Sequence, residues 1–129
     1  MIPNNHRLAS NRRPLRLREP VGERWVMGTV GHPCVDVTIA AQSAAGFTAT
    51  VIHRTDDWAA TAAIVACGEA IALIPRLTLM SIPRRGFTTR ELEQPTARSI
   101  YAATRSGATH APHVAAVLSA LSSAAETCL

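Results

Sequence analysis

With 129 residues, 47% of them hydrophobic and 17% charged, the chain can bury one real core, so one soluble domain is the expectation. No stretch approaches the roughly 18 uninterrupted apolar residues of a spanning helix, and Asn4, Asn5, His6 and Arg7 stand where a signal core would be apolar. That excludes a membrane span and makes the cytoplasm the expected compartment. The net charge is +4 and all 13 basic residues are arginine, but apart from Arg7, Arg12, Arg13, Arg16 and Arg18 they are scattered and not interleaved with aromatics, which weighs against a nucleic-acid surface.

In chain order, residues 1–20 read as an extended arm: Pro3, Pro14 and Pro20 prevent a long helix, and Leu8, Leu15 and Leu17 are its large apolar anchors. Residues 21–80 read as a βαβαβ core. Trp25–Val30 is an aromatic and β-branched strand that runs into Gly31, His32 and Pro33, with Pro33 as the first helical position of Pro33–Ala45. Val35, Ile39 and Gln42 form one stripe of that helix, Asp36 suits its first turn, and Gly46 closes it. Ala49–Arg54 is a second strand, Thr55, Asp56 and Asp57 offer an N-cap, and Asp57–Cys67 is a second helix stopped by Gly68. Ala70–Pro75 is a short apolar run fit for a strand covered on both faces. Alternation of strands with helices of this length predicts parallel pairing through right-handed crossovers.

Arg76–Met80 ends the core with one helical turn before Pro83. Residues 81–129 read as a return: the stretch from Gly86 to Leu92 alternates as an edge or connecting strand, and Arg98–Arg105 reads as a further strand. Pro112 opens a closing helix on which Val114, Val117, Leu118 and Leu121 make a one-sided stripe. Cys34, Cys67 and Cys128 are odd in number and widely spaced, which fits separate thiols and neither a disulfide frame nor a zinc site.

The chemistry-bearing stretch is Gly31-His32-Pro33-Cys34. A glycine turn entering a helix N-terminus can leave backbone N–H groups free for an anion, although capping and packing would account for the same residues. A thiolate at Cys34 beside His32 would be the seed of a thiol enzyme, but two residues of separation with no orienting third group is not a catalytic arrangement. Thr55, Asp56 and Asp57 could reach a ligand hydroxyl or amine, and capping explains all three equally. His110 and His113 fall short of a metal site by at least one ligand, and His53 sits in mid-strand.

Laid out this way, the chain resembles the C-terminal part of the effector-binding domain of LysR-type transcriptional regulators, a type II periplasmic-binding-protein fold. The residues that carry the resemblance are His6-Arg-Leu-Ala, similar to the family's "hPLA" crossing strand, Glu23-Arg-Trp-Val and Ala45-Gly-Phe. To these are added Ile64-Val-Ala-Cys-Gly-Glu-Ala-Ile-Ala-Leu-Ile-Pro, similar to "LVAAGLGVALLP", and Arg105-Ser-Gly followed by Pro112. Glu69 departs from the pattern, standing where the family has an apolar residue, and the family's helix-turn-helix and the first half of its first subdomain have no counterpart here.

The reading is an α/β domain with a small, mostly parallel three-layer sheet and a C-terminal strand-helix arm. The resemblance implies binding of a small effector, anionic in character, at Thr29, Gly31, His32, Pro33, Cys34, Thr55 and Asp57, the two turns lying together at the carboxyl edge of the sheet. It implies no catalytic residue, metal or cofactor, no direct DNA contact by this chain, no membrane, and a homodimer through the C-terminal strand and helix. An interaction module without a ligand, and a thiol-dependent enzyme at Cys34, are the alternatives.

Overall fold

The computed structural model describes residues 1–128, which fall into two units, residues 1–97 and a second unit from Arg98 onward. In the first unit the central strand is β2, Arg24–Met27, whose apolar Trp25, Val26 and Met27 are all buried. The N-terminal strand β1, Ile2–Pro3, precedes it, and β3, Thr50–Arg54, pairs with β2 in parallel. Trp25 stands opposite Val51 and Val26 opposite His53, so a bulge passes over Ile52. On the other side of β2, Val26 N–H donates to Ile71 O at 3.0 Å and Ile71 N–H to Arg24 O at 2.8 Å. Beyond that, Ala72 N–H donates to Met1 O at 3.0 Å and Met1 N donates to Ala72 O at 2.7 Å. β1 then pairs antiparallel with β4, Phe87–Thr88.

The α/β class is therefore observed, but the mostly parallel three-layer sheet is corrected: the regular ladders are two-stranded, one parallel and one antiparallel. Ala70–Pro75 joins through the single bridge Trp25–Ile71. Pro3 and Pro75 lack the N–H that longer ladders would use at these places. Arg98–Arg105, expected as a strand, is a second correction: no ladder among the described residues includes it, and all eight of its residues are exposed. Its pattern permits a strand, but a strand exists only with a neighbour to bond.

Alternation along these short strands divides the side chains between two clusters. Ile2, Trp25, Met27 and Ile71 pack with Leu8, Leu15 and Val35, whereas Met1, Val26, Ala70 and Ala72 pack with Ala62, Val65, Ile82 and Phe87. The first helix, α1 (Pro33–Ala44), has Pro33 at its start and the His32 side chain as cap, and buries Val35, Thr38 and Gln42. Ile39 is exposed, so the buried stripe runs through Thr38 and not through Ile39. The second helix, α2 (Trp58–Ala66), starts where Asp57 Oδ1 accepts the N–H groups of Ala59 at 2.7 Å and Ala60 at 3.0 Å. It buries Thr61, Ala62 and Val65.

The arm folds onto this unit through Leu8 and Leu15, both buried, and through Arg90, whose guanidinium donates to the carbonyls of Ala9, Asn11 and Thr89 and to the Thr88 hydroxyl. Leu15 also bridges to Leu92. Glu23, between His6 and Arg7, is partly buried, which would raise its carboxyl, but hydrogen bonds from those two residues hold it below its ordinary value. Glu69, the departure from the family pattern, is exposed and faces Arg24 at 3.5 Å, so no apolar packing is lost to it.

In the second unit a 3₁₀ turn, Ala108–His110, leads through Ala111 into α3, Pro112–Cys128. Val117 and Leu121 of α3 are exposed, as are Ile100 and Tyr101. Cys34 is half-buried and Cys67 exposed, both as free thiols; the side chain of Cys128 lies outside the described residues. Among the described residues, no group of three His, Cys, Asp or Glu is placed to hold a metal, and no helix is long and apolar enough to cross a membrane.

Candidate functional site

The turn after β2 and the turn after β3 leave the same end of a parallel pair, and side chains tie them together. Thr29 N–H donates to Asp56 Oδ1 at 2.8 Å and the Thr29 hydroxyl to Asp56 Oδ2 at 2.6 Å. Arg54 Nη1 donates to Gly28 O at 3.0 Å, and Thr55 N–H to Met27 O at 3.0 Å. Gly28 makes the approach possible, because a Cβ there would lie 2.8 Å from both Asp56 Oδ1 and Val35 Cγ2. The Thr29 hydroxyl and then the Thr29 amide hold the Asp56 carboxyl below its ordinary value, with attraction to His32 adding to them.

Beneath this tie lies a crevice of ≈ 20 Å³ lined by residues that include His32, Cys34, Val35, Thr55 and Asp56. That volume holds about one water molecule. Of the seven residues singled out from the sequence, His32, Cys34 and Thr55 line it; Thr29 forms part of the tie above, Gly31 and Pro33 shape the exposed turn, and Asp57 is engaged as the α2 cap.

The expectation of free N–H groups at the start of α1 is corrected by the hydrogen bonds. His32 N–H donates to Thr29 O at 3.2 Å, Cys34 N–H to His32 Nδ1 at 3.3 Å, and Val35 N–H to His32 O at 2.8 Å, while Pro33 has no N–H. The helix start closes on itself. The same cap turns His32 Nδ1 to the backbone, so that nitrogen is not offered to the Cys34 thiol as a base.

One contributor was missed from the sequence: Gly28, between Met27 and Thr29, carried no signal beyond being a glycine at a strand end. Asp56, which the sequence offers with Thr55 and Asp57 as a cap or a ligand contact, is the acid left over when Asp57 caps α2. A second hollow of ≈ 700 Å³ lies between Arg16–Arg18, the end of α1 and residues 93–96, with Arg16 bound to Glu93 at 2.6 Å.

Neither the curated proteins nor the solved structures contain a significant match to this chain. A family model described as the LysR substrate binding domain matches residues 1–126. The match spans nearly the whole chain, and the chain belongs to the LysR substrate binding domain family, the ligand-binding part of a class of transcriptional regulators.

Proposed function

We propose that the chain binds a small effector bearing a carboxylate or similar anionic group at the junction of the β2–α1 and β3–α2 turns, as a cytoplasmic protein that does not itself contact DNA. The observation that supports it most is the convergence of those turns at the carboxyl end of the parallel pair, held by Thr29 and Asp56, since ligands of open α/β sheets collect at that edge. Thr29, Gly31, His32, Pro33, Cys34, Thr55 and Asp57 belong to the reading as the two turns around the crevice, the helix caps among them acting by shaping the backbone. The thiol-enzyme alternative draws no support from the His32 geometry. A panel of small aromatic and aliphatic carboxylic acids tests the reading by thermal shift: a true effector present at 100 times its Kd stabilises by about 2.7 kcal/mol. No stabilisation by any acid, with backbone amide signals of residues 28–35 and 54–57 unmoved, would refute it.

Self-association is the second part of the proposal. Exposed Val117 and Leu121 on α3 favour a homodimer, each large aliphatic side chain contributing about 1.5–3 kcal/mol when buried. With Arg98–Arg105 in no ladder among the described residues, α3 carries the pairing without a strand. Light scattering at micromolar concentration is expected to give twice the chain mass, and Leu121→Glu to return it to the monomer; a monomeric parent chain removes the dimer.

A further inference from the structure

The donors best placed to hold an anion at this edge are already taken by the chain's own acid. The N–H groups of His32, Cys34 and Val35 are spent on the His32 cap and turn, and the donors aimed across at the second turn are the amide and hydroxyl of Thr29. Both point at one carboxylate, Asp56 Oδ1 and Oδ2, in the two-pronged manner in which a ligand carboxylate would be received. Asp56 is not needed to start α2, because Asp57 does that alone. Arg54, held on Gly28 O, places a cation one residue from Thr29. With Asp56 in place the crevice is too small for anything larger than water.

We infer that Asp56 is a tethered competitor of the effector, occupying the Thr29 donors until an incoming carboxylate displaces it. This rests on the effector-binding reading and adds what sets its affinity. A tethered group competes at a high effective concentration, so affinity for a free acid is held down by the fraction of time the donors are covered. The asymmetry also gives selectivity: an acid can take over both Thr29 bonds, whereas a neutral amide replaces a charged acceptor with a weaker one and gains little.

The test uses the full chain with sodium benzoate as the acid probe and benzamide as its neutral counterpart, following the Thr29 amide signal by NMR. Asp56→Ala frees both donors, and Asp56→Asn keeps the side-chain shape while removing the charge, which guards against a folding defect in the first. Both variants are expected to bind benzoate at least about tenfold more tightly than the parent chain, with benzamide affinity changed less than about twofold. Benzoate affinity unchanged or weakened in both variants overturns the inference. If the parent chain binds an acid from the effector panel at this edge and the variants bind it no better, the competitor is refuted and the effector reading stands. If the variants gain benzoate at Thr29 while no acid in the panel engages the parent chain, the competitor stands and the effector reading falls.

Discussion

Trp25→Ala is expected to destabilise the first unit by about 3–5 kcal/mol, a large share of the roughly 5–15 kcal/mol of a domain of ordinary stability. Trp25 is the largest side chain on the central strand, 2% exposed, and its ring lies 6.2 Å from that of Phe47, tilted by 41°. It packs with Leu8, Leu15 and Val35, so its removal loosens the arm and α1 together. The indole Nε1 is buried with no hydrogen-bond partner among the described residues, an unfavourable element in an otherwise apolar site. Trp25→Phe discards that N–H with only part of the volume and is therefore expected to cost well under half as much as Trp25→Ala. Urea unfolding followed by circular dichroism measures both. Equal losses for the two variants would show that the indole N–H does have a partner in solution.

Gly86→Val is expected to cost about 2–4 kcal/mol, through two separable effects. Gly86 has φ +78, and a Cβ there would lie 2.7 Å from Ala66 Cβ and 3.3 Å from Ala66 Cα, against the end of α2. Helix backbone cannot yield as a flexible side chain does, so the clash would push β4 away from β1. Gly68→Ala is the control: its φ is +83 but nothing lies within 4 Å, so it carries the backbone strain alone, about 1 kcal/mol. Thermal unfolding of the two variants separates the terms, and equal losses would remove the close packing of residue 86 on α2.

What the sequence made legible was the punctuated part. Pro33, Gly46, Asp57 and Gly68 mark helix ends chemically, and α1 and α2 fall within a residue of the expected limits. The Arg76–Met80 turn was legible for the same reason, between Pro75 and Pro83. Sheet extent was not, because alternation shows which residues are able to pair and says nothing about whether a neighbour is present. Ile100 and Tyr101 have the pattern and no ladder, whereas Met1 and Ala72 pair across 71 positions with no local sign of it. The site was half legible: the two turns were, but their connection through Thr29 and Asp56 depends on tertiary approach past Gly28, which no local pattern encodes.

The pairings of the arm also impose an order of events on the growing chain. Met1 and Ile2 leave the ribosome long before Ala72 and Thr88, the residues they will sit against. The segments in between can form their local helices and the β2–β3 pair while the arm waits unpaired. During that interval its leucines are exposed to any other nascent chain. The five arginines between positions 7 and 18 set like charge beside those leucines, the kind of flanking charge that opposes association of exposed apolar segments, before Arg90 takes hold of the Ala9 and Asn11 carbonyls.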